Sequence, residues 1–188
     1  MEWNLPGTAL AVSMEEMSKA EDRLRAMFLA GGIALSQVSA ITGLEPYTVQ
    51  NWVKRGFLTG PQQKRYSLRQ LCRILNINML KDALPMEQIC GLMTYINGHL
   101  DDDSDDIIDD SDLYFIFLRL AAHHREMNDP AGRERYLQQV LAEYREPEPG
   151  ARERVQKVLR TMLTAWAAAQ LRQAAEKMVK ELNETEKE

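Results

Sequence analysis

Four side chains at helical spacing carry the most specific hydrogen-bonding chemistry in this sequence: Tyr47, Gln50, Asn51 and Lys54. On a helix turned through about 100° per residue they share one face, with Arg55 at its edge. Val49, Trp52 and Val53 fall on the opposite side, so Trp52 reads as core. The outer face holds amide and cationic groups and no carboxylate. Amides of this kind pair with base edges in a major groove, and cations pair with the phosphates beside it. Lys64 and Arg65, ten residues further on, add two charges suited to flanking phosphates or a minor groove. Double-stranded DNA is the partner that this set fits.

The charge distribution points the same way. The chain carries a net charge of −5, yet from Pro46 to Lys81 it has seven basic residues and no acid. Positive potential is therefore concentrated in one stretch. Arg69 and Arg73, later in that stretch, read as structural or solvated. From Asp101 to Asp112 the bias reverses, with eight aspartates and no base. A calcium loop needs a central glycine and a closing glutamate, and this run has neither. Asp110, Ser111 or Asp112 is expected to cap a helix starting near Leu113. The other aspartates would repel DNA and so orient the molecule, or pair with a basic surface of the same or a partner chain.

Other candidate chemistry is weaker. His123, His124, Glu126 and Asp129 cluster at a helix end, but adjacent histidines diverge by about 100° and cannot both grip one ion unaided. No metal site, cofactor or catalytic group is expected, since no phosphate-binding glycine loop or nucleophile elbow occurs. Cys72 and Cys90 lie in apolar-periodic stretches and read as reduced core thiols. No run of about 18 apolar residues spans a membrane. The N-terminus lacks a basic leader, and a cytoplasmic location is expected.

These residues need a scaffold, and the pattern supplies a mainly helical, all-α one. Apolar residues between 14 and 30 repeat at helical spacing until Gly31-Gly32. Ser36 is placed to cap a short helix, Gln37 to Thr42, ending at Gly43. Pro46 opens the second helix, closed by Gly56. Residues 57–66 hold a turn flanked by short strands. Ser67 and Gln70 form a capping box for a helix to about Lys81, and Pro85 opens another to about Asn97. Helices over Leu113–His124, Ala131–Tyr144 and Arg152–Leu182 complete the chain. The expected organisation is an N-terminal amphipathic helix (1–32), a winged helix-turn-helix (33–100), an acidic segment (101–112) and a C-terminal helical region (113–188).

The stretch from Leu35 resembles the DNA-binding domain of the MerR family. The resemblance rests on Leu35, Val38, the Thr42-Gly43-Leu44 turn, Pro46, Thr48, Trp52, the Arg55-Gly56-Phe57-Leu58 step, Arg65-Tyr66-Ser67 and the Pro85-Met86-Glu87-Gln88-Ile89 helix start. The segment, continuing into DDSDDIIDDSDLY, is still more similar to a bacterial family of unknown function typified by YkrK. What the resemblance implies is a MerR-like winged helix-turn-helix with a small β-wing and a transcription regulator. Tyr47, Thr48, Gln50, Asn51 and Lys54 would read bases or nearby phosphates, Arg55 would seat the helix, and Lys64 and Arg65 would act from the wing. It names no small-molecule effector. Two-fold pairing is expected, as a homodimer doubles the DNA site read by one module. Residues 152–182 are the candidate for pairing, although their apolar stripe holds a heptad seam for only about two heptads, and packing within the chain competes. The alternative is an adaptor that keeps the fold and binds protein.

Overall fold

Helical periodicity resolves into eight α-helices among the described residues, and the expected mainly helical architecture holds. The computed structural model describes residues 3–13, 16, 19–123 and 130–185. In chain order the elements are β1 (Trp3–Asn4), β2 (Ala11–Val12), α1 (Ala20–Ala26), β3 (Ile33–Ala34), α2 (Leu35–Thr42), α3 (Pro46–Lys54), β4 (Arg65–Tyr66), α4 (Leu68–Leu80), α5 (Met86–Asn97), a 3-10 turn (Asp103–Asp105), α6 (Asp110–Ala122), α7 (Pro130–Val140) and α8 (Ala151–Thr185). Among the described residues no helix is long and apolar enough to cross a membrane.

Helix α4 is the spine. Every residue from Leu71 to Ile77 is buried, including Arg73 and Asn76. It packs most extensively on α6, and α2 and the first half of α8 close its other sides. One apolar core runs from Leu5 to Trp166. The face expected of α8 (Val155, Val158, Leu159, Met162, Trp166 and Ala169) is buried in it. Cys72 is buried, Cys90 is half-buried, and neither is bridged. Burial pushes the Cys72 thiol well above its ordinary range, so it behaves as an inert apolar group.

Of the helix expected over 14–30, the described residues show α1 and a helical Glu16, while residues 27–30 form a turn; a hairpin of β1 and β2 precedes them. Met14 and Met17 lie outside the described residues. The hairpin forms because Leu5 and Val12 both reach the core while the chain turns at Gly7. Gly7 has φ 74°, and a Cβ there would lie 2.3 Å from the Leu75 carbonyl oxygen. Only glycine allows the turn to lie this close to α4. Asn78 then donates to the Gly7 carbonyl (2.8 Å), and Tyr114 donates to that of Pro6 (2.8 Å).

Two caps also move. Helix α2 starts at Leu35, so Ser36 lies within its first turn and does not cap it. The Gln37 side chain folds back instead, accepting from the Ala34 N–H at 2.9 Å. Helix α6 starts at Asp110, three residues before Leu113, and Asp109 caps it by accepting from the Ser111 N–H at 2.7 Å. Asp110, expected as a cap, is buried. The Ser67–Gln70 capping box forms as expected, with bonds of 2.8 and 3.2 Å.

Candidate nucleic-acid interface

Helix α3 is held by its neighbours rather than by its own cap. Glu45, before it, makes no side-chain cap, and Pro46 sets the first turn. The preceding turn is rigid. Gly43 adopts φ 71°, Thr42 Oγ1 donates to the Val38 carbonyl (2.8 Å) and accepts from the Leu44 N–H (3.1 Å). Asn78 of α4 also donates to the Thr42 carbonyl at 3.0 Å, tying the turn to the spine. Val49 and Trp52 are buried beneath the helix.

The outer face matches the arrangement read from the sequence. Tyr47 is 71% exposed, Gln50, Asn51, Lys54 and Arg55 are exposed, and Thr48 is half-buried. The side chains of Tyr47, Gln50, Asn51, Lys54 and Lys64 make no hydrogen bond or ion pair with the described residues. Arg55 is different. Its guanidinium stacks over the Phe57 ring at 4.6 Å, which holds it at the helix end. Arg65 is also partly committed, since it donates to the Gly32 carbonyl at 2.6 Å.

The 57–66 segment forms its strand with an unexpected partner. β4 pairs antiparallel with β3, placing Ile33 against Tyr66 and Ala34 against Arg65. Within the segment, Gln62 and Arg65 exchange backbone hydrogen bonds of 3.0 and 2.8 Å around a two-residue turn. Gln63 and Lys64 form that turn with φ 48° and 64°. A cleft of about 500 Å³ separates the turn from α3, lined by Leu35, Val53, Pro61 and Tyr66 together with Gln50 and Lys64. The fold thus brings Gln50 and Lys64 to one cavity, although they lie 14 positions apart in sequence. The other flank of the turn faces a second hollow, lined in part by Gln62, Gln63, Arg65, Arg69 and Asp101.

Arg69 and Arg73 belong to the scaffold. Arg69 reaches Asp106 at 2.5 Å, with Asp109 at 3.6 Å and Asp110 at 3.7 Å. Arg73 pairs with Asp110 at 3.3 Å and donates to the Phe57 carbonyl at 3.0 Å. Asn76 donates to the Asp110 carbonyl at 3.2 Å. Burial pushes the Asp110 carboxyl up, while the Arg73 and Arg69 guanidiniums pull it back. The aspartate run therefore clamps α4 from within the same chain, one of the roles expected of it. Two of the seven cations in the acid-free stretch are used there, and Lys54, Arg55 and Lys64 remain beside the α3 face.

Among the described residues no three His, Cys, Asp or Glu side chains converge as a metal site would require. His123 meets the Tyr136 hydroxyl at 2.6 Å, and His124, Glu126 and Asp129 lie outside the described residues. Gln63 and Ser36 carry no signal in the sequence that marks them as site residues: the turn lacks the Asn-Gly signature of such hairpins, and Ser36 has the pattern of a helix cap.

Residues 33–117 match the model of a domain of unknown function, DUF1836. The match starts at β3, takes in α2, α3 and the acidic clamp, and ends within α6. An uncharacterized protein, YkrK, of Bacillus subtilis (strain 168) is 29% identical over 114 residues. These cover 57% of this chain and 48% of YkrK, so the chain spans about half the length of the relative it matches. Both findings support similarity to a YkrK-like family of unknown function. No solved structure matches.

Proposed function

We propose that this chain is a cytoplasmic transcription regulator that binds double-stranded DNA through a MerR-like winged helix-turn-helix. α2 and α3 act as its two helices, and the 57–66 turn acts as its wing. The observation that carries this reading is the α3 face. Tyr47, Gln50, Asn51 and Lys54 point outward with unused hydrogen-bonding capacity, and no acid lies between Pro46 and Lys81. Gln50 and Asn51 read base edges, Lys54 and Lys64 hold phosphates, and Arg55, braced on Phe57, seats the helix end. The test is binding of the full chain to its own upstream DNA and to random duplex at two salt concentrations. The regulator reading requires sequence-selective affinity that falls steeply with salt, because cations on the protein release counterions from the duplex. No binding to any duplex at low salt would leave the face to a protein partner, as in an adaptor.

The regulator acts as a homodimer in this reading, paired through the exposed second half of α8. That helix is 35 residues long, and its last core residue is Ala169. The remainder extends about 24 Å further. Its surface includes Leu171 (73% exposed), Met178 (63%) and Leu182 (68%), aligned with Ala175 at spacings of 4, 3 and 4. This is a two-heptad seam. Residues 170–185 carry three basic and three acidic side chains, so two copies do not repel each other. In an antiparallel pair Leu171 faces Leu182 of the second copy, and Ala175 faces Met178. Light scattering of the full chain should give twice the 21.5 kDa chain mass. Leu171→Glu/Met178→Glu should give the single-chain mass with unchanged helical circular dichroism. A monomeric parent protein, or a dimeric variant, rejects this interface.

A further inference from the structure

The cleft between α3 and the wing turn is accounted for neither by the base-reading face nor by the core. We propose that it seats one sugar–phosphate strand of the duplex, with deoxyribose against Leu35, Val53, Pro61 and Tyr66 and phosphate on Lys64 and Ser36. The inference rests on the DNA-binding reading and adds the strand path, with Ser36 as a new contact.

Three observations point to this occupant. The first is chemical fit. A nucleic-acid strand alternates an apolar sugar with an anion. The cleft has about 500 Å³ of space, apolar side chains from three elements, and Ser36, Gln50 and Lys64 as its polar lining. No acid is among its lining residues. The second is direction. On the opposite flank of the wing Arg65 and Arg69 are engaged with the Gly32 carbonyl and Asp106 and lie beside Asp101, whereas Lys64 on the α3 side makes no ion pair with the described residues, so the uncompensated cation faces the cleft. A strand in the cleft passes Gln50 and so continues onto the α3 face.

The third observation is the turn itself. Gln63 and Lys64 both adopt positive φ in a turn where Asn-Gly is the unstrained choice. Side chains with a Cβ are disfavoured in this conformation. The strained pair places a cation at the cleft and an amide at the wing tip, which glycine would not supply. Local strain held in this way accompanies function.

The experiment uses the full chain with two variants, Gln63→Asn/Lys64→Gly and Ser36→Trp, titrated with its own upstream DNA and with random duplex over a range of salt. The turn variant should unfold at a higher temperature than the parent protein. It should bind both duplexes about tenfold more weakly, with the slope of log affinity against log salt shallower by about 1 for the lost phosphate contact. Ser36→Trp fills the cleft from an exposed first-turn position and should weaken both duplexes by a similar factor with its melting temperature kept. If the parent protein binds DNA but either variant keeps the parental affinity and salt slope, the cleft does not hold a strand, and the α3 reading stands. A lower melting temperature for the turn variant overturns the strain argument. If the parent protein binds no duplex, both readings fall.

Discussion

Reversing charge at Lys54 and Lys64 together is expected to abolish DNA binding while the fold survives. Both side chains are exposed, and neither makes an ion pair with the described residues. Glutamate there removes two phosphate contacts and adds two repulsions at the same surface. Affinity should fall on the order of 100-fold or more, and the salt slope should be shallower by about 2. Lys64 is a cleaner target than Arg65, because the Arg65 guanidinium also holds the Gly32 carbonyl and its loss would disturb the β3–β4 pair. Fluorescence anisotropy with labelled duplex reads the affinity, and thermal melting monitors the fold. Unchanged affinity in the double variant would remove α3 and the wing from any DNA interface. A loss confined to the chain's own upstream DNA, with random duplex bound as before, would make these lysines base readers rather than phosphate anchors.

Asp110→Ala is expected to cost about 3–5 kcal/mol of stability, because it leaves the Arg73 cation buried and unpaired. Arg73 and Asp110 are both buried and lie 3.3 Å apart. Taking both charges away is less damaging than removing one, so Arg73→Met/Asp110→Ala should recover a large part of the loss. Urea unfolding of the full chain measures both. A single-variant loss below about 1 kcal/mol would mean that water or Asp109 and Asp106 take over the charge. The carboxyl adds a dependence on pH. Burial pushes Asp110 up, so the folded protein takes up this proton at a higher pH than the unfolded chain does. Between that raised value and the ordinary carboxylate range, this group contributes more stability as pH falls. Asp110→Asn should remove that contribution. The clamp also bears on the candidate interface, since Arg73 donates to the Phe57 carbonyl just beyond α3 and Phe57 supports the Arg55 guanidinium.

Local features were legible from the chain alone wherever a residue acts on its immediate neighbours. Gly43, Pro46 and the Ser67–Gln70 box mark their turns and caps by short-range sterics and hydrogen bonds, and each was correctly placed. Helical periodicity separated Val49 and Trp52 from Tyr47, Gln50, Asn51 and Lys54, because a period of about 3.6 residues fixes which side chains share a face. The same periodicity identified the buried stripe from Val155 to Ala169. It overextended the 14–30 helix at its C-terminal end, where residues 27–30 form a turn after Ala26, and it did not reveal the β1–β2 hairpin, which depends on the close approach of Gly7 to α4. It also misplaced the cap of α6. Asp109, Asp110 and Asp112 are chemically alike, and only the position of Arg73 decides which of them is buried.

The mainly helical class, the α3 face with its amides and cations, and the separation of a basic stretch from an acidic one are all legible in the chain. Each of these depends on spacing along one element or on a count of charges. Which charges pair inward and which stay in solvent depends on packing. Arg69 and Arg73 turn inward to Asp106 and Asp110, and Lys54 and Lys64 stay outside. Packing also brought Gln50 and Lys64 to a common cleft, and it buried half of α8 while leaving the other half projecting. Charge pairing and cleft formation depend on distances between elements remote in sequence, and those distances exist only once α4 has packed against α6 and β4 has found β3.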